Sequence, residues 1–137
     1  MDENVQRKMM ELESYKSQMQ QYQQQKSQVM MSVQELLSAK ATIDSMKNAK
    51  KGTEMIIPIG GGTFIKGIIE NPKAVIASIG ADIAVTKDLL SAIKHIDEQV
   101  KSAEKGILKM DDEIHNIETK AQKIYMEIET AVAKEKN

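Results

Sequence analysis

LLSAIKHIDEQVKSAEKGILKMDDEIHNIETKAQKIYMEIETA, residues Leu89 to Ala131, is the stretch whose reading decides the fold. Leu89, Ile93, Ile96, Val100, Ala103, Ile107, Met110, Ile114, Ile117, Ala121, Ile124, Ile128 and Ala131 follow alternating steps of four and three with no polar residue among them. An apolar repeat averaging 3.5 residues keeps one stripe facing a partner helix, so the pattern predicts a coiled-coil strand rather than a globular helix. The expected start is Thr86-Lys87-Asp88, with Thr86 capping the free amides and Asp88 complementing the positive helix end, and the helix is expected over 87–134.

The partner stripe lies in the first third of the chain. Leu12, Tyr15, Met19, Tyr22, Lys26, Val29, Val33, Leu36, Lys40 and Ile43 follow the same spacing, apolar except for the two lysines. This predicts a helix over 3–51, ended by Lys47, Lys50 and Lys51 at the negative end of its dipole and by Gly52 in a left-handed cap. Helices of nearly equal length suggest an antiparallel hairpin. If Lys47 lies near Asp88, Val29 falls near Gly106 and Met9 near Met126, so both outer ends meet.

Between the helices, Thr53–Ile59, Thr63–Glu70, Lys73–Ile79 and Ala81–Thr86 read as four short strands spanning 53–86, in two hairpins. Gly60-Gly61-Gly62 supplies the first turn, Asn71-Pro72 the connection, and Gly80 with Ala81 the second turn. Pro58 has no amide to donate, which places its strand at an edge or its nitrogen away from the ladder. Met55, Ile57, Ile59, Phe64, Ile65, Ile68, Ile69, Val75, Ile76, Ile79, Ile83 and Val85 exceed what four short strands can bury alone. The expected class is therefore α+β, mainly α: a long antiparallel coiled-coil hairpin with two central β-hairpins forming an inter-subunit β-barrel platform, in one domain over 1–137.

Composition narrows the function. Among 137 residues there are one Phe, three Tyr and no Trp, too few large anchors for an ordinary globular core. The 19 basic and 20 acidic side chains nearly cancel and are interleaved, leaving no footprint for nucleic acid or anionic lipid. The absence of Cys removes thiol chemistry and fits a reducing cytoplasm. The polar start Met1-Asp2-Glu3-Asn4 does not resemble a secretory leader, and the apolar stretch Val75–Val85 is too short to span a bilayer as a helix.

No catalytic, cofactor or metal site is expected. Gly60-Gly61-Gly62-Thr63 lacks the Gly-Lys-Ser/Thr ending and the following helix of a phosphate loop. Asp111-Asp112-Glu113 cannot converge from adjacent helical positions, and His95 and His115 lie off the seam and far apart. The Gln-rich run Gln18–Gln28 keeps the heptad spacing through Met19 and Tyr22 and reads as a solvated face.

The segment MIIPIGGGTFIKG, Met55–Gly67, followed by VIASIGADIAVTKD, Val75–Asp88, closely resembles the alpha class of the prefoldin family, with an archaeal-like short chain. Two hairpins rather than one distinguish that class from the beta class. The resemblance implies an ATP-independent chaperone with two alpha and four beta subunits, arms that hold unfolded client proteins, and delivery to a group II chaperonin. From arm geometry, the expected client contacts are Val5, Met9, Met10, Leu12, Ile124, Tyr125, Met126, Ile128 and Val132. The strand residues Met55, Ile57, Ile59, Phe64, Ile65, Ile68, Val75, Ile79, Ile83 and Val85 are the expected assembly contacts. A structural scaffold or filament former built through sheet edges is the main alternative, and a coiled-coil adaptor for one defined partner a further one.

Overall fold

The computed structural model describes residues 2–135, so Met1, Lys136 and Asn137 of the expected 1–137 domain lie outside it. Its elements are α1 (Glu3–Met46), β1 (Glu54–Gly60), β2 (Thr63–Ile68), β3 (Ala74–Gly80), β4 (Ile83–Asp88) and α2 (Leu89–Glu135). Residues group into two compact units: Met1–Val33 with Ser102–Asn137, and Gln34–Lys101. Both helices contribute to both units.

In the first unit, α1 and α2 run antiparallel. Lys26 Nζ meets Asp111 Oδ1 at 2.7 Å and Lys8 Nζ meets Glu127 Oε2 at 3.5 Å. Beyond them the Asp2 amide donates to Glu135 Oε1 at 3.4 Å, bringing the outer ends of the helices together. Each seam residue from Leu12 to Val33 and from Ala103 to Ala131 is more buried than most of its neighbours, with Val5, Ile117 and Ile128 fully inside. The heptad period thus sets the inward stripe, as a 3.5-residue repeat dictates.

The second unit holds the only cluster of several buried side chains among the described residues. Ile43, Ala92 and Ile96 form its centre, with Leu36, Val75, Leu89, Ile93 and Val100 packed around them. Lys40 stands on the seam here, and its Nζ reaches Asp97 Oδ1 at 2.7 Å. Both seam lysines of α1 therefore find an aspartate on α2, which satisfies a charge that the apolar stripe alone would strand.

Several element ends differ from expectation. α1 stops at Met46, not Lys51, where the Ala49 amide bonds back to the Met46 carbonyl at 3.0 Å and closes a turn. Gly52 does have positive φ (90°), but it serves a later turn in which the Thr53 amide donates to Lys50 O at 3.0 Å. Left-handed Gly is common to both motifs, so composition did not separate them. α2 begins at Leu89, and Asp88, not Thr86, is its cap: Asp88 Oδ1 accepts the Ser91 amide at 2.7 Å. Thr86 and Lys87 belong to β4, paired with Ile76 and Val75.

The hairpins repeat one another at an offset of twenty residues. Glu54 faces Ile68 and Gly60 faces Thr63 in the first, while Ala74 faces Asp88 and Gly80 faces Ile83 in the second. Each has an irregularity before its terminal glycine, between Pro58 and Gly60 or between Ser78 and Gly80. The loops are two residues long: Gly61-Gly62 with φ of 58° and 74°, and Ala81-Asp82 with φ of 51° and 60°. Positive φ at both positions marks the hairpin turn whose twist suits the flanking strands. The second turn is thus Ala81-Asp82, one residue later than Gly80-Ala81, and the fourth strand starts at Ile83 instead of Ala81.

Candidate assembly and capture surfaces

Two sheets of two strands leave every strand with an open edge, and no strand crosses between the sheets. Their faces are largely uncovered as well. In the first hairpin, Met55, Ile57, Ile59, Phe64, Ile65 and Ile68 are all exposed, and no residue from Glu54 to Ile68 is buried. In the second, Ile79 and Ile83 are exposed, and Ile76 is 78 % accessible. Val75 and Val85 are half-buried, Val75 because it packs on the Ile43–Ala92–Ile96 cluster. That packing leaves an apolar groove lined by Ile43, Met46, Val75, Ile76, Ala92 and Ile96.

The expected contacts omit Ile56, which is more exposed than Met55 and Ile57 beside it, and Leu90 just past the cap. The unbroken apolar run Met55-Ile56-Ile57 was the available signal, because continuous apolarity marks a strand that expects cover on both faces. Gly67 has a packing reason: a Cβ there would lie 2.8 Å from Ile57 Cδ1, so its absence lets Ile57 fold across the strand pair.

At the outer end of the first unit, the nine expected contact residues divide. Val5, at 1 % exposure, and Ile128 are buried in the seam, as their position on the inward stripe requires. Leu12, Ile124 and Val132 are half-buried. Met9, Met10, Tyr125 and Met126 face outward, with Met10 74 % exposed. Tyr125 borders a shallow groove with Leu12, Lys16, Met19, Glu118 and Ala121.

Electrostatics along these surfaces is local. Hydrogen bonding to Asp97 raises the Lys40 ammonium above its ordinary value, and hydrogen bonds from Ser91 hold Asp88 below the usual carboxylate range. Tyr15 is raised chiefly by its hydroxyl's hydrogen bond to Glu11. Among the described residues no group of three or more His, Cys, Asp or Glu side chains is placed to hold a metal ion. None of the described helices is long and apolar enough to cross a membrane.

Paired helices carrying two exposed strand hairpins define a coiled-coil subunit with its apolar strand surface uncovered. The family profile described as Prefoldin subunit matches residues 15–134, and the chain belongs to the prefoldin family. It is 30 % identical over 123 residues to the prefoldin subunit alpha of Methanococcus maripaludis strain C5, covering 90 % of this chain and 78 % of that one. It is 39 % identical over 100 residues to the prefoldin subunit alpha of Methanobrevibacter smithii, covering 73 % and 68 %. Among solved structures, filamentous PFD from Methanocaldococcus jannaschii superposes with a TM-score of 0.75 at 20 % identity, over 85 % of this chain and 96 % of that one. The prefoldin beta subunit from Thermococcus strain KS-1 gives 0.66 at 18 % identity, over 95 % and 93 %. These last two likenesses concern the fold.

Proposed function

We propose that this chain is the alpha-class component of an ATP-independent holdase that works in the cytoplasm. It assembles through its hairpins with beta-class subunits, two alpha to four beta, captures unfolded proteins at the outer end of its helices, and passes them to a group II chaperonin. Family membership supports the chaperone role. The observation that carries the capture step is the outward set Met9, Met10, Tyr125 and Met126, beside a seam that already holds Val5 and Ile128.

A holdase needs apolar groups that stay exposed without unfolding their own carrier. The seam satisfies the helices internally, which frees these four side chains for other chains. Methionine is flexible and polarisable, so it adapts to client surfaces of many shapes. Each group buried against a client contributes about 1.5–3 kcal/mol before ordering costs, so one arm binds weakly and several together bind with avidity. Replacing all four by Ser is expected to weaken client capture at least about tenfold while the oligomer survives. Undiminished suppression of client aggregation would reject the assignment.

The open strand edges also admit a second reading, a scaffold that polymerises through them. The stoichiometry of the assembly separates the two.

A further inference from the structure

The first unit carries more exposed apolar side chains than its outer end requires. Met30 and Met31 on α1 and Leu108 on α2 lie far from Met9 and Tyr125 in sequence, yet they are 51 %, 66 % and 65 % accessible. Their placement is one-sided. With the seam stripe as heptad positions a and d, Met9, Met30 and Tyr125 occupy e, Met10, Met31 and Met126 occupy f, and Leu108 occupies b. The opposite flank, positions c and g, holds only polar residues and Gly106 throughout this unit.

The ion pair Lys26–Asp111, 2.7 Å long, fixes the level of the middle group. Met30 lies one turn beyond Lys26 and Leu108 one turn before Asp111. Because the helices are antiparallel, these two steps go in the same direction, and Met30 and Leu108 stand at one height on one flank.

α1 beneath Met30 and Met31 carries almost no charge, whereas on α2 Leu108 stands between Lys105 and Asp112, whose charges are opposite. Across residues 17–33, the one charged side chain is Lys26, which is engaged by Asp111, and of the seven exposed glutamines Gln20, Gln23 and Gln24 share the methionine side at positions b, e and f. A glutamine amide both donates and accepts, so it can bond the backbone of an extended chain whatever that chain's sequence. Three isolated side chains offer on the order of a few hundred Å² of apolar surface. That is well below the roughly 1,000 Å² that a stable folded partner or second copy would bury.

We infer that the glutamine–methionine face of α1 around Met30 and Met31, with Leu108, is a second contact site, which takes extended segments of unfolded polypeptide without regard to their charge. Methionine and leucine bury the segment's apolar side chains, and the glutamines satisfy its backbone. This deepens the holdase reading and rests on it. A client held at the outer end could thereby be held again along the same flank, which multiplies a weak contact through effective concentration.

The test places a photo-reactive benzoylphenylalanine at position 31, 10 or 116 of the full-length chain in its native assembly, with one acidic and one basic denatured client. Position 116, normally Asn116, lies on the polar flank. Both clients are expected to cross-link at position 31 with similar yields, well above position 116. A paired variant, Gln23→Glu with Gln24→Glu, is expected to shift capture toward the basic client about threefold. Cross-linking at 10 but not at 31, or no shift in the paired variant, overturns the mid-helix site and leaves the holdase reading standing. Cross-linking at none of the positions overturns both.

Discussion

The helical seam and the strand hairpins use the same kinds of side chain and dispose of them in opposite ways. Ile96, Ile117 and Ile128 are buried on α2, whereas Ile56, Ile76 and Ile79 lie open on the strands. The helices find their complement within the chain, since a heptad stripe needs only one facing stripe. A two-stranded hairpin has two faces and two edges, and this chain supplies cover for part of one face through Val75. The seam is where the chain covers its own apolar side chains, and the hairpins are where it leaves them uncovered.

Substitutions can break that contrast from either side. The largest effect is expected in the seam: Ile43→Ala removes a side chain from the buried cluster and should cost about 2–3 kcal/mol, read from chemical unfolding of the isolated chain. At Ile76 the same chain should tolerate even a charge. Ile76→Asp is expected to leave its unfolding midpoint within about 0.5 kcal/mol of the parent. It should nevertheless weaken assembly with a beta-class partner by about 30-fold or more, measured by sedimentation.

A smaller effect concerns the strained loop of the second hairpin. Ala81 has a φ of 51°, where an L side chain crowds its own carbonyl, while the equivalent Gly61 has no Cβ. Ala81→Gly should relieve about 0.5–1 kcal/mol of strain, seen as slower amide exchange across β3 and β4.

The smallest effects follow pH. Asp88 has a depressed folded value, so its capping contribution is present above the unfolded value of 3.8 and is lost as pH falls through the folded one. Lys40 is raised, so its contribution is full below 10.5 and is lost as pH rises through the folded value. The first turn of α2 should therefore fray in acid, and the Lys40–Asp97 contact should open in strong alkali. Amide exchange at Ser91 and a salt-dependent unfolding midpoint would report each change, both modest because these groups are exposed.

How much of this was legible in the sequence follows from which forces are local. The seam could be read residue by residue, Lys26 and Lys40 included, because a period is a property of the chain itself. The expected sums of 135 for Val29 with Gly106 and Met9 with Met126 compare with 137 for Lys26–Asp111 and Lys40–Asp97 and 135 for Lys8–Glu127. The element ends were less legible. Gly52, Thr86 and Gly80 each suit a turn or cap, and only the hydrogen bonds at Ala49 and Asp88 and the pairing of Gly80 with Ile83 decided which. At the outer end, sequence reasoning grouped Val5 and Ile128 with Met9 and Met10 by nearness to the end, although Ile128 already stood on the stripe. Extending the α1 stripe one heptad, from Leu12 back to Val5, separates Val5 from Met9 and Met10 in the same way.

Native mass spectrometry of the full-length chain mixed with a beta-class prefoldin subunit tests the proposed closed assembly through the hairpins most directly. A closed complex of two copies with four partners is the outcome expected of strands that need outside cover. A chain that stays solitary in the mixture, or that forms only open-ended polymers of itself, would contradict it.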